Sequence, residues 1–268
     1  MVYSVWLFWI SALFLVLERI LPRRKQRMLR RGFATDIFYL IFNSEYLGVL
    51  IGVASIHAIS ALDRSLDLTQ LRHHFYLGAM AGKPFWLQLV VLIAVFDFAQ
   101  WLIHITLHRV PWLWEFHKVH HSIQEMDSIG NWRFHGFEAI FYRTLLYAPA
   151  AFFGFSAVAM FWYGILNTIV GHFAHSNLRI NMGPLKYVVN SPEMHVWHHA
   201  HPEEGPVNRN FGIMLSVWDW IFRTAHSPGK EPGKLGFVGI ESYPRHALGH
   251  AVAPFLPRKV IAQPGSRR

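Results

Sequence analysis

Residues 84–108 read PFWLQLVVLIAVFDFAQWLIHITLH. The run is long and apolar enough for a membrane-spanning helix, which needs roughly 17–25 residues. Its last third is different. Asp97, Gln100, His104 and His108 recur every three or four residues, so on a helix they form one polar stripe. A span that ends in a stripe of imidazoles is either a polar crevice between helices or a metal wall continuing out of the membrane, and the choice between them decides the fold.

Working outward, three more clusters share the spacing: His117, His120 and His121 in HKVHH, His172 and His175 in HFAH, and His195, His198 and His199 in HVWHH. Neutral imidazole is the commonest side-chain metal ligand. Ten clustered imidazoles exceed the needs of one four- to six-coordinate ion, so the pattern calls for two. Nitrogen donors suit Zn, Cu, Fe and Ni, whereas Mg, Ca and Mn prefer oxygen. The chain has no cysteine, which excludes thiolate sites and Fe–S clusters. It also lacks HExxH, so a zinc peptidase has no support.

Composition agrees with a membrane protein. Of 268 residues, 53% are hydrophobic and only 15% charged, against about 25% charged in soluble domains. The net charge of +9 does not point to nucleic acid, because the basic residues gather at 22–31 and 257–268, beside apolar runs. Such clusters set membrane orientation and attract anionic head groups. Residues 2–21 form a first span with its positive charge behind it, at Arg23, Arg24, Lys25, Arg27, Arg30 and Arg31, which places that end in the cytoplasm. Residues 36–62 form a second span, followed by a loop at 63–83. Residues 137–153 and 157–170 are shorter apolar runs separated by Gly154 and Ser156, and they either cross or form a re-entrant hairpin. This topology puts all four histidine clusters on the cytoplasmic face.

The expected fold is therefore all-α and integral to the membrane: four to five hydrophobic helical elements under a cytosolic histidine-rich cap that holds a di-metal site. The expected division is 1–83 (N-terminal helices and loop), 84–225 (catalytic region) and 226–268 (an extended Pro/Gly-rich tail). Short helices are expected near 192–199 and 211–222.

The stretches DFAQWLIHITLH, LWEFHKVHHS, WRFHGFE, GHFAHSN, SPEMHVWHHAHPE and NRNFGIMLSVWDWIFRT together resemble the fatty acid hydroxylase/sterol desaturase superfamily of integral-membrane di-iron enzymes. The likeness runs from about residue 97 to 224. It implies that the ten clustered histidines are metal ligands, with His135 of WRFHGFE as an eleventh. It also implies two non-haem iron ions, dioxygen as co-substrate, and hydroxylation or desaturation of a lipid. Electrons would come from a separate donor of cytochrome b5 or ferredoxin type, since no G-x-G-x-x-G fingerprint is present. The chain departs from the family at Ile105, Gly136 and Arg223, none of which removes a ligand.

Ligating imidazoles usually donate their second N–H to a carboxylate or carbonyl. Asp97, Glu115 and Asn210 are the expected partners, with Glu138 and Glu193 as further acids. Trp101, Trp112, Trp114 and Trp132 are expected near a substrate entrance. Two non-oxygenase readings use the same residues: a non-redox metal-binding membrane protein, and a catalytically silent lipid-binding relative. The residues leave open which lipid is bound and whether a hydroxyl or a double bond results.

Overall fold

A computed structural model describes residues 2–48, 50, 57 and 77–256. The regular elements it describes are all helical, and β-pairing among them is limited to three isolated bridges. Helix α1 (Tyr3–Ile20) is apolar until Glu18. Helix α2 (Phe33–Ile41) runs on through a π-turn at Phe42–Tyr46, and the rest of the expected second span lies outside the described residues. Helix α3 (Phe85–Arg109) is 25 residues long. At 1.5 Å per residue it measures about 37 Å, more than the ~30 Å hydrocarbon core, so its histidine-bearing end can stand clear of the lipid.

Val110 breaks α3 in an extended conformation and Pro111 opens α4 (Pro111–His121). Proline suits a first helical turn because its missing N–H would be unpaired there anyway. A 3₁₀ turn (Ser128–Trp132) leads to α5 (Gly136–Phe153) and α6 (Ala157–His175). The expected break between the last two is present. Gly154 ends α5 at φ 74°, and the Ser156 hydroxyl accepts the Ala159 N–H to cap α6. Short helices α7 (Pro192–His198), α8 (Val217–Ile221) and α9 (Ala247–Val252) complete the cap.

Among the described residues, three helices are long and apolar enough to cross a membrane: α1, α3 and α6. They pack through buried side chains on one face. Leu92, Phe96 and Leu107 of α3 meet Leu146 of α5 and Tyr163 of α6, while Ile10 and Phe14 of α1 meet Ile165 of α6. Trp6, Phe8 and Trp9 on α1 and Trp86 and Val90 on α3 remain exposed, as a lipid-facing surface requires. At the end of α1 the Glu18 carboxylate accepts the N–H groups of Ser128 and Asn177. This ties α1 both to the 3₁₀ turn and to the chain leaving α6.

Two expectations are corrected here. Residues 227–256 are not an extended tail. Leu235 packs with Ile123 and Trp197, and Phe237, Ile240, Tyr243 and Ala253 pack with Trp114 and Val119 of α4. Apolar side chains spaced among the Pro and Gly residues supply this second core, which a composition-level reading overlooks. The basic stretch 22–31 is also not purely a head-group anchor. Arg23 and Arg24 pair with Glu231. Arg30 pairs with Asp36 and Asp127, and Asp36 also accepts Arg133.

The Arg30 network is fully buried, and removing one member leaves uncompensated charge, which costs about 3–5 kcal/mol. Arg30→Met should therefore lower unfolding stability by about that amount. Denaturant titration of the detergent-solubilised protein, followed by tryptophan fluorescence, measures it. A loss below ~1 kcal/mol would mean the network is solvated.

Candidate metal centre

The ends of α3 and α6 bring the histidines to the cap, where α4 and α7 complete the set. Nine of the ten converge into two adjoining clusters. His104, His108, His117, His121 and His198 form one, and His120, His175, His195 and His199 form the other. Within each, one nitrogen per ring lies within 4.8 Å of all the others. All nine residues are buried. The clusters touch where the His121 and His199 rings stack at 4.4 Å.

The second ring nitrogens determine the tautomers. Nδ1–H donates from His104 to the Phe211 carbonyl (2.8 Å), from His117 to Glu138 Oε1 (2.7 Å) and from His120 to the Arg133 carbonyl (3.2 Å). Likewise His175 donates to the Gly171 carbonyl (3.0 Å) and His198 to the Arg209 carbonyl (2.8 Å). Each acceptor is an oxygen, so each Nδ1 carries the proton and each Nε2 keeps a bare lone pair.

Those lone pairs face one another. His104 Nε2 is 3.2 Å from His117 Nε2, and His120 Nε2 is 3.2 Å from His175 Nε2. Two acceptors at that distance repel with no proton between them. A cation relieves the repulsion. Nitrogens bound at about 2.0–2.1 Å to one ion stand roughly 3.0–3.4 Å apart around it. The pairs His108–His121 at 3.1 Å, His175–His195 at 3.0 Å and His195–His199 at 3.2 Å fall in the same range. The residues present thus fit two metal ions.

Electrostatics agree. Burial pushes the imidazoles of His120, His121, His195 and His199 well below their ordinary range, and neighbouring imidazoles add to it. Burial takes His198 down to about 3. The rings are neutral at pH 7, the form that ligates.

His172, the tenth histidine, turns away. Its Nδ1 meets the Thr168 carbonyl and its Nε2 meets the Ser11 hydroxyl, each at 3.0 Å, and it joins neither cluster. On α6, His172 and His175 are three residues apart, and the helix rotates His172 toward α1 instead. His135 also stands outside both clusters. Its Nδ1 accepts the Phe137 N–H to cap α5, and its Nε2 meets the Ala251 carbonyl. We expect His172→Gln to keep two metals per chain, whereas His175→Ala loses one. Metal analysis of the two purified variants distinguishes them, and loss of a metal from His172→Gln would return that residue to the ligand set.

The expected supporting residues are partly displaced. Asp97 reaches no imidazole. It accepts the N–H groups of Met214 and Leu215 and Trp218 Nε1. Glu115 pairs with Lys118, and Glu193 accepts the Ser227 hydroxyl. Asn210 acts one step removed, donating to the Met194 and His226 carbonyls and accepting the His226 N–H. Asn208 and Asn210 hold φ of 58° and 56°, a left-handed conformation asparagine tolerates better than most residues. The backbone twisted by these two residues carries the Arg209 and Phe211 carbonyls that meet His198 and His104.

Asp219 was missed by sequence reasoning. Its carboxylate accepts Trp101 Nε1, the Phe211 and Gly212 N–H groups and the Thr224 hydroxyl. Burial raises its pKa against these hydrogen bonds. The only signal in the sequence is an acid between two tryptophans, in WDW.

A cavity of about 530 Å³ opens onto the clusters. His104, His117, His120, His175 and His195 line its histidine end, and Leu146, Ala157, Met160 and Phe161 line its apolar part. Of the four tryptophans, Trp132 alone is among its lining residues. Trp101 and Trp114 are buried in packing, and Trp112 is exposed beside Phe116 and Phe137.

Comparison with known proteins gives a consistent set of matches. The model of a family described as fatty acid hydroxylase matches residues 89–224, half of the chain. An ornithine lipid hydroxylase, OlsE from Rhizobium tropici, is 26% identical over 259 residues, covering 96% of this chain and 73% of the relative. The alkylglycerol monooxygenase of Homo sapiens is 26% identical over 167 residues, covering 61% of this chain and 34% of the relative. That of Caenorhabditis elegans is 27% identical over 128 residues, 48% of this chain and 25% of the relative. The chain thus spans about a third or less of the monooxygenases it matches. No solved structure matches.

Proposed function

The chain belongs to the fatty acid hydroxylase family, and from that premise we propose that it is a membrane-embedded oxidoreductase that hydroxylates a lipid at a non-haem di-iron centre. The observation that carries the reading is the pairing of bare Nε2 lone pairs inside two buried all-nitrogen clusters. The five-imidazole set His104, His108, His117, His121 and His198 would hold one iron, and the four-imidazole set His120, His175, His195 and His199 the other. Iron bound there would supply the dioxygen chemistry that no protein side chain provides.

The chain's own residues prepare the site. Carbonyls of Arg133, Gly171, Arg209 and Phe211 and the Glu138 carboxylate hold protons on Nδ1 and fix the ring orientations. Helices α3, α5 and α6 wall the cavity so that an acyl chain can lie against Met160 and Phe161 while a carbon is held at the histidine end. Burial of the clusters excludes water that would compete for the reacting centre. Hydroxylation is preferred to desaturation because the relatives are a lipid hydroxylase and monooxygenases. A separate cytochrome b5- or ferredoxin-type donor would supply electrons, and the basic residues after α1 favour a cytoplasmic cap by the positive-inside rule.

Iron-loaded protein in nanodiscs, given a reductant and ¹⁸O-labelled dioxygen, tests this. The expected result is about two irons per chain and one labelled oxygen in a lipid product. Stoichiometric zinc with no dioxygen uptake under any reductant would sink it.

A further inference from the structure

The cavity has more polar chemistry than an acyl chain needs. Near the histidines, Gln100 donates to Tyr163 and Asn167, and the Tyr142 hydroxyl donates to Gln100. These groups satisfy one another. Three others lining the same cavity do not. Glu138 Oε2, Asn43 Oδ1 and Trp132 Nε1 are buried with no hydrogen-bond partner among the described residues. Asn43 is 1% and Glu138 2% exposed, so a partner reaches them only from the cavity that they line. Asn43 is held in place by its own donor bonds to the Trp132 and Phe134 carbonyls, and Phe134 stacks on His120. The unpaired acceptors therefore sit at the histidine end.

Arg143 lines the cavity as well. It is half-buried in α5, and its Nη2 donates to the Asn43 carbonyl at 2.6 Å. Among the described residues no carboxylate pairs with it. A half-buried guanidinium lining a cavity with no carboxylate beside it is costly to keep there and suits an anionic ligand. Arg143 lies five residues beyond Glu138, about 7.5 Å along the helix. Both residues line the cavity, so it is offered a free carboxylate oxygen beside the histidines and, one to two turns along α5, a guanidinium with no carboxylate partner among the described residues. The apolar surface of Leu146, Met160 and Phe161 shares the cavity.

Resting on the hydroxylase reading above, we propose that the substrate enters head group first. Its head group carries an anion, carboxylate or phosphate, that docks on Arg143. A hydrogen-bond donor such as an ammonium reaches Glu138 Oε2 and Asn43 Oδ1. The oxidised carbon then belongs to the polar head region, and the acyl chain trails along α6. A mid-chain site would require apolar walls on both sides of the metals, and Glu138, Asn43 and Gln100 occupy that position instead.

Native mass spectrometry of the full chain, released from detergent, measures the binding of four single-chain probes. N-oleoyl ornithine carries a carboxylate and lysophosphatidylethanolamine a phosphate, each with an ammonium. N-oleoyl ornithine methyl ester lacks the anion, and an alkylglycerol is uncharged. Wild type is expected to favour at least one anionic probe over both anion-free probes by about tenfold or more, the worth of a charge-assisted hydrogen bond. Whichever anion wins identifies the source. In Arg143→Gln the preference should fall to near one, with metal content unchanged, and Arg143→Lys should retain most of it. A wild-type preference near one, or one unchanged in Arg143→Gln, overturns the proposal. If Arg143→Gln does not fold, the methyl ester comparison on wild type decides alone. No anion preference in the wild type with lipid oxidation intact would refute only the head-group inference. Retained preference without oxidation would refute only the hydroxylase reading.

Discussion

His195→Ala is expected to empty the four-imidazole cluster and abolish lipid oxidation, while the five-imidazole cluster keeps its metal. His195 Nε2 lies 3.0 Å from His175 Nε2 and 3.2 Å from His199 Nε2, so it is the shared neighbour in that cluster. Removing it leaves three donors and opens a coordination position, so the ion is held less tightly. Residues one step outside a metal typically cost 10–100-fold in affinity or activity when lost. A ligand itself should cost at least about a hundredfold. Metal content should drop from about two to about one per chain, and membrane insertion should not change because α7 lies in the cap. His104→Ala should do the mirror experiment on the other cluster. Both variants retaining two metals would dissolve the two-cluster assignment.

The separation into clusters also explains which parts of the site were legible. Spacing of three or four residues places side chains on one helical face, so His104 with His108 and His117 with His121 could be paired from the sequence. Spacing does not say which way that face points. His172 and His175 share a helix, yet one meets Ser11 on α1 and the other meets His120. The answer depends on where α1 packs, which is a long-range fact. The same limit applies to the supporting shell. Glu138 is 21 residues from His117, and the Phe211 carbonyl is 107 residues from His104. Backbone carbonyls carry no residue signature at all, and they serve four of the five assigned imidazoles. The spans at α1, α3 and α6 were legible because continuous apolar runs have no other stable solution in lipid. The packed segment 227–256 was not, because its apolar residues are too sparse to show a period.

Asp219→Ala should produce the largest effect of any substitution outside the ligands. The carboxylate receives four donors: two backbone N–H groups, one indole and one hydroxyl. Alanine would leave these donors with no acceptor, at roughly 1–3 kcal/mol for each one that stays buried. The backbone at Phe211 and Gly212 would shift to find new partners, and the Phe211 carbonyl would leave His104 Nδ1. That frees the His104 ring to rotate and exchange tautomers, so its lone pair no longer stays on Nε2. Metal affinity of the five-imidazole cluster should then fall about 10–100-fold, with the four-imidazole cluster spared because none of its rings bonds to residues 209–212. Asp219→Asn is not a gentle version, since its amide nitrogen would confront N–H and O–H donors in place of an accepting oxygen. Titration of apo-protein with Fe(II) should show one site weakened and one unchanged. Equal weakening of both would point to a global loss of the cap, and no weakening of either would show that the 208–212 backbone holds its shape without Asp219.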